Sequence, residues 1–232
     1  MLVTALSDLH GDLIQNINQC DVVCICGDFM PLRMQRNIRQ SLGWLRREFL
    51  PWCNALPCKH VLVVSGNHDF VFDSEFHIEN GTWDQLHDLL AAASEKVHLL
   101  DNREITIDNV RFWGCPYTTG PQGWANYIAD DSQPFSNMPQ DADVVLVHQP
   151  PYGNVGTVYQ TDARNYLCNY GSLSLMKQLL DPNNKVKYLF CGHIHTGQHT
   201  EEKIGNTKCF NVSVKDEGYV TSMSPLCIKI EI

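Results

Sequence analysis

The stretch Leu2-Val3-Thr4-Ala5-Leu6-Ser7-Asp8-Leu9-His10-Gly11-Asp12 passes without a break from an apolar run of buried-strand length to a cluster of metal-binding side-chain types. Alone, an Asp-x-His after a strand is ordinary turn chemistry. The same transition recurs along the chain. Val22 to Cys26 ends in Gly27-Asp28, and Val61 to Val64 leads to Gly66-Asn67-His68-Asp69. Val144 to Val147 runs into His148-Gln149-Pro150-Pro151, and Tyr188 to Cys191 into Gly192-His193-Ile194-His195. His193 and His195 alternate to one side of an extended segment. Five such endings in order are not explained by turn chemistry. Side chains at the carboxyl ends of strands in an α/β sheet converge on one crevice, and the glycines let the backbone turn sharply enough for neighbours to meet there.

Between these runs the pattern changes period. Ile38, Leu42, Leu45 and Phe49 make one helical stripe that Pro51 is expected to end. A second helix is predicted from about Trp83 to Ala93 through Leu86, Leu89 and Leu90, followed by strands at Val97 to Leu100, Ile105 to Ile107 and Val110 to Gly114. Cys115 to Met138 reads as a long loop carrying Tyr117, Trp124, Tyr127 and Phe135, either a packed lid or a binding loop. Pro150 to Tyr170 reads as another long polar loop. A short helix over Ser172 to Leu180 is closed by Asp181-Pro182, and two or three more strands complete the chain. With no repeat or low-complexity block, one domain is expected across residues 1–232.

The series Asp8-x-His10, Gly27-Asp28, Gly66-Asn67-His68-Asp69, His148 and Gly192-His193-x-His195 resembles the calcineurin-like metallophosphoesterase superfamily. The resemblance implies an α/β, four-layer αββα fold, two facing mixed β-sheets flanked by helices, with a dinuclear metal site at the sheet ends. It implies that Asp8, His10, Asp28 and His195 hold one metal, and that Asp28 bridges to a second completed by Asn67, His148 and His193. His68 is similar to the family's non-ligand histidine near the leaving group, with Asp69 as its orienting partner. Left open for His68 are an additional ligand role and a structural turn.

Imidazole, carboxylate and one amide oxygen suit manganese, iron, zinc, cobalt or nickel better than calcium; manganese is expected first. Two divalent ions bring four positive charges against the two carboxylates Asp8 and Asp28, so the centre attracts an oxyanion despite a net chain charge of −9. Metal-held water can ionise near neutral pH, and an ion pair can clamp phosphoryl oxygens while a bridging hydroxide attacks in line. His68 is the candidate acid for the leaving alkoxide.

Gly27-Asp28 continues into Phe29-Met30-Pro31, without the phosphate-gripping arginine segment that the superfamily's protein phosphatases carry there. The size and the stretch Trp113-Gly114-Cys115-Pro116-Tyr117 to Trp124-Ala125 look more like the small metallophosphoesterase-domain, or phosphodiesterase, branch. The expectation is a phosphodiesterase on a small substrate, cyclic nucleotides among them. The alternatives are a phosphomonoesterase or protein phosphatase, and a non-catalytic scaffold that binds partners. Trp124 and Tyr127 are candidates to stack on a base, and core packing serves equally well for them. Gly11-Asp12 and Thr157 to Arg164 are possible pocket lining without assigned roles.

Hydrophobic residues at 44% and charged residues at 19% are globular proportions that exclude a largely disordered chain. The acidic balance argues against a dedicated nucleic-acid or polybasic membrane binder, and no apolar run approaches the roughly 18 residues of a membrane span. With a strand expected from Leu2 and site-type residues by Asp8, a signal peptide is not expected. Ten cysteines, several inside apolar runs such as Cys24, Cys26, Cys115, Cys191 and Cys209, read as buried thiols of a reducing, cytoplasmic compartment. There, the sequons at Asn80-Gly81-Thr82 and Asn211-Val212-Ser213 have no role in glycosylation. Arg33, Arg36, Arg39, Arg46 and Arg47 read as a solvated helix face, the alternative being a patch that steers a polyanion. His60, His77, His87, His98 and His199 are expected at exposed or strand-edge positions. Oligomeric state is left open.

Overall fold

The computed structural model describes residues 1–231 apart from 74, 78–82, 93, 94, 131 and 161–165. Ala93, the Asn80-Gly81-Thr82 sequon and the second half of Thr157 to Arg164 lie outside the described residues. The first three apolar runs form β1 (Leu2–Leu6), β2 (Val22–Cys26) and β3 (His60–Val64), which pair in parallel. β4 (Val97–Leu99) extends this sheet in parallel beyond β3. The second sheet takes β5 (Arg103–Ile107), β6 (Val110–Cys115), β7 (Val144–Val147), β10 (Tyr188–Cys191), β11 (Glu201–Ile204) and β12 (Thr207–Asn211), in the order β11-β12-β10-β7-β6-β5. β13 (Leu226–Lys229) returns antiparallel to β1 and gives the first sheet the order β13-β1-β2-β3-β4.

Alternation along each strand explains why both faces of the sheets are apolar. Val22, Cys24 and Cys26 of β2 face the second sheet, where Phe112, Val144, Leu146 and Phe190 meet them, while Val23 and Ile25 face helices. A parallel sheet covered on both sides needs such continuous hydrophobic runs. The outer face of the first sheet is packed by α1 (Ile38–Trp44), a π turn over Leu45–Phe49, α2 (Leu50–Ala55) and α3 (Trp83–Ala91). The outer face of the second is covered by α4 (Ser132–Ser136) and α5 (Leu173–Leu180) through Phe135, Leu175 and Leu179. The expected four layers are therefore present.

Two sequence expectations are corrected. Pro51 does not end the first helix, which runs on to Ala55 with the proline in the first turn of α2. Proline has no N–H to donate to the preceding turn, and the chain widens into a π turn immediately before it. Pro150 to Tyr170 is not an irregular loop either. It carries a 3₁₀ turn at Asn154–Gly156 and an antiparallel hairpin of β8 (Thr157–Gln160) and β9 (Tyr166–Asn169).

Candidate metal centre

The parallel strands β1, β2, β3, β7 and β10 all deliver their carboxyl ends to one edge of the molecule. The loop after β1 runs beside the loop after β2. Asp8, His10 and Gly11 donate their backbone N–H groups to the carbonyls of Gly27, Asp28 and Phe29 at 2.9–3.0 Å. Asp8, His10, Asp28 and His193 each have φ between 45° and 69°. For residues other than glycine that left-handed region is sparsely used, and it turns up where tertiary structure imposes it. Gly192 approaches the first loop so closely that a Cβ there would collide with the Ser7 hydroxyl and the Asp8 carboxylate.

All seven expected ligands are brought together. Three groups, Asp8 with His10 and His195, His10 with Asp28 and His68, and Asp8 with Asp28 and His148, each have their ligand atoms within 4.8 Å of one another. The Asn67 amide oxygen lies 2.9 Å from His148 Nε2 and 3.0 Å from His193 Nδ1. His148 Nε2 is 3.3 Å from Asp28 Oδ2, and His195 Nε2 is 3.3 Å from Asp8 Oδ1. Two rings are set by backbone carbonyls: His148 Nδ1–H donates to Cys26 O at 2.8 Å and His195 Nδ1–H to Asp216 O at 3.0 Å. That leaves Nε2 pointing into the site, as metal-ligating histidines require.

These residues fit a pair of divalent cations. Among the described residues both ring nitrogens of His10 are buried without a hydrogen-bond partner, a state that buried polar atoms seldom tolerate. Burial, reinforced by neighbouring imidazoles, pushes His10 and His193 down to about 4, so each is a neutral ring with a lone pair to give. Burial acts against charge on Asp8 and Asp28, but the surrounding histidines, His195 for Asp8 and His148 for Asp28, hold both below the usual carboxylate range. Burial also disfavours a charged His148, but the Asp28 carboxylate outweighs it and lifts the ring to about 9. The cluster thus combines two carboxylates, one amide oxygen and imidazoles, a donor set suited to first-row divalent metals.

Asp69 is placed differently from the expectation of a partner for His68. Its carboxylate accepts from the backbone N–H groups of Gly66, Asp28 and Met30 at 2.7, 2.8 and 2.9 Å. The group on the His68 ring is Gln35, whose Oε1 is 2.6 Å from Nδ1. His68 Nε2 lies 3.8 Å from Asp28 Oδ2, and its backbone N–H donates to Asp28 Oδ1 at 2.8 Å. Trp124 packs against His68 with ring centroids 4.4 Å apart. Arg36 is not simply solvated: its guanidinium lies 4.1 Å from the centroid of the Phe70 ring and donates to Gly123 O. His77 is fully buried rather than exposed, and Asp12 turns away to pair with Lys215.

Above the ligands opens a cavity of about 680 Å³, with walls formed by Thr119, Gln149, Asn169, Tyr170, Glu217 and Tyr219. Tyr219 makes edge contacts with His10 at 4.9 Å and His195 at 5.1 Å between centroids. Gln35, Glu217 and Tyr219 escape sequence reasoning because each reaches the site from a stretch without a motif.

Comparison with known proteins settles the family. The family profile for calcineurin-like phosphoesterase matches residues 1–197. The chain belongs to the calcineurin-like phosphoesterase family. This family membership makes it a metal-dependent phosphoesterase, a hydrolase. Among its relatives is metallophosphoesterase domain-containing protein 1 of Homo sapiens, 24% identical over 97% of this chain and 69% of the relative. A UPF0046 protein of Caenorhabditis elegans is 27% identical over 98% of this chain and 74% of its own. Among solved structures, the Mycobacterium tuberculosis phosphopantetheinyl hydrolase superposes with a TM-score of 0.56 at 14% identity, covering 94% of this chain and 90% of the other. A putative 5'-nucleotidase of Staphylococcus aureus superposes with a TM-score of 0.53, also at 14% identity, over 98% of this chain and 53% of the other. At such identity the structural likeness shows the fold alone. Calcineurin-like phosphoesterases typically use two metals, in keeping with the ligand groups here. Among the described residues no helix is long and apolar enough to cross a membrane.

Proposed function

We propose that this calcineurin-like phosphoesterase is a small phosphodiesterase, with Asp8, His10, Asp28 and His195 at one divalent ion and Asp28, Asn67, His148 and His193 at the other. The observation that carries the reading is the convergence of these seven donors beneath one cavity of about 680 Å³, with Asp28, Asn67, His193 and His195 on its surface and Asp8, His10 and His148 buried behind them, a volume suited to a nucleotide-sized ligand. When bound, the ions, manganese first among them, would supply activated water and draw in the phosphoryl oxygens. His68 stands at the cavity wall and delivers a proton from Nε2 to the leaving oxygen. Thr119, Gln149, Asn169 and the two tyrosines surround the organic part of the substrate. Phe29 and Met30, which follow Asp28, are fully buried in the core. That segment therefore presents apolar packing, not a grip for a phosphomonoester dianion, and a singly charged diester such as a cyclic nucleotide fits better. Ten unpaired cysteines, seven of them buried, support a reducing, cytoplasmic setting.

The test is hydrolysis of bis-p-nitrophenyl phosphate against p-nitrophenyl phosphate by metal-stripped protein, before and after manganese is returned. Diester turnover restored by metal supports the reading and leads next to cyclic nucleotides. Preference for the monoester replaces it with a phosphomonoesterase. Inactivity on both substrates and on cyclic nucleotides, with two ions bound, transfers the case to a scaffold role.

A further inference from the structure

We propose that Gln35 is the positioning residue for His68, its side-chain oxygen holding Nδ1–H so that Nε2 is the nitrogen presented to the leaving group. The inference rests on the phosphodiesterase reading for its catalytic meaning, but the contact itself does not. Gln35 Oε1 lies 2.6 Å from His68 Nδ1, the one side-chain hydrogen bond of this ring among the described residues. The segment carrying Gln35 is tied down on both sides. Met34 N–H donates to Pro31 O at 3.0 Å, Asn37 N–H to Met34 O at 2.8 Å, and the Ser41 hydroxyl to the same Met34 carbonyl at 2.9 Å. The next residue, Arg36, reaches across to Gly123 O at 3.0 Å and covers Phe70, with its guanidinium 5.3 Å from the Trp124 ring. Trp124 in turn packs on His68 with a 59° tilt. Two consecutive residues therefore hold the imidazole, Gln35 through its Nδ1 edge and Arg36 through the tryptophan beside it.

The chemistry selects the orientation of the amide. With the oxygen on Nδ1, that nitrogen keeps its proton throughout. The ring begins protonated on both nitrogens. The P–O bond to the leaving group breaks, its electron pair stays on the leaving oxygen, and Nε2–H supplies that oxygen's proton, while a water oxygen makes the new bond to phosphorus and gives up one proton to solvent. The ring ends neutral, its remaining proton on Nδ1 and still hydrogen-bonded to Gln35 Oε1. With the amide reversed, an N–H would face the Nδ1 lone pair and Nε2–H would be the ring's sole proton, whose departure would leave an imidazolate. Asp69 does not take this role, because its two oxygens are committed to three backbone amides. Glutamine orients the ring without adding charge beside Asp28.

The experiment compares wild type, Gln35→Leu and Gln35→Glu on aryl phosphodiesters whose leaving groups run from p-nitrophenol to phenol. Proton donation matters more as the leaving group worsens. Gln35→Leu is expected to lower turnover of the phenyl diester by about 10- to 100-fold, part of the 10²–10⁴ that a general acid supplies, and that of the p-nitrophenyl diester at least fivefold less. Gln35→Glu, which keeps an acceptor, should recover most of the loss. Equal losses on both leaving groups, or none, overturn the proposal. Long-range ¹H–¹⁵N NMR of the His68 ring in metal-free protein gives a second readout, with Nδ1–H expected in wild type and Gln35→Glu and lost in Gln35→Leu. If wild type hydrolyses no diester, the phosphodiesterase reading fails and the NMR pattern alone decides. An Nδ1–H signal unchanged in Gln35→Leu, or in Gln35→Met if leucine impairs folding, overturns the positioning role.

Discussion

Replacing Asp69 by alanine removes an acceptor on which three buried N–H groups converge, those of Gly66, Asp28 and Met30. Asp69 is itself fully buried, so the orphaned amides have no immediate access to water. An unsatisfied buried donor costs about 1–3 kcal/mol, and three would cost about 3–9 kcal/mol. A water molecule admitted to the vacated space would repair part of this, so the lower end, about 3–5 kcal/mol, is expected. Asparagine is the milder arm. With its oxygen at the Oδ2 position it still accepts from Asp28 and Gly66, but its NH₂ then faces the Met30 N–H, at a cost of about 1–3 kcal/mol. The assay is urea unfolding of metal-free protein, with the slope checked so that a change of midpoint reads as a change of stability. Because Asp69 fixes the amide of Asp28, metal affinity should also fall by about 10–100-fold in the alanine variant, the range for losing an outer partner of a ligand. Asp69→Ala within about 1 kcal/mol of wild type would refute the anchoring role. If Asp69→Asn reproduced the leaving-group dependence assigned to Gln35, the placement of Asp69 off the His68 ring would be refuted as well.

Gly192→Ala forces a methyl group against Ser7 and Asp8; unfolding should show a loss of about 1–3 kcal/mol, and elemental analysis reduced metal content. Lys215→Met takes a buried ammonium from Asp12, Thr221 and the carbonyl of Tyr219. Because Glu217 and Tyr219 of the same segment line the cavity, KM should rise several-fold while metal content is retained. The hydrogen bond from Lys215 holds the Asp12 carboxyl below its usual range. Its small contribution is present above the ordinary carboxylate range and is lost as pH falls, so the stabilities of wild type and variant should converge in acid. Phe190→Ala, in the layer between the sheets against Phe210, should lower stability by about 3–5 kcal/mol in the same unfolding assay.

Much of the site was legible in the sequence because Asp8, His10, Asp28, Asn67, His148, His193 and His195 each sit beside an apolar strand that could be recognised alone. Parallel pairing then needs no further information to bring their ends together. The four layers were expected from the family resemblance, and the run Val22 to Cys26, apolar at every position, agrees with it because such a strand needs both faces covered. Gln35 carried no such signal, since nothing local distinguishes it from other polar residues of the segment before α1. The β8–β9 hairpin was missed because Thr157–Gln160 and Tyr166–Asn169 mix polar and apolar residues without the length of a core strand. Pro51 misled by a rule that holds inside a helix and fails in a first turn. His77 is hidden in the interior by its surroundings, a tertiary fact with no trace in neighbouring residues.

The left-handed backbone at Asp8, His10, Asp28 and His193 also says when the centre is assembled. Those torsions are imposed by sheet pairing and loop–loop hydrogen bonds, which form as the chain folds and do not wait for a cation. The conformational entropy of gathering the donors is therefore surrendered once, during folding, and little is left to lose when ions arrive. Such a site is a finished mould, not a hand that closes. Its apo and loaded forms should nearly superpose, uptake of metal should be limited by diffusion and dehydration, and a stripped protein should regain its ions without passing through an unfolded intermediate.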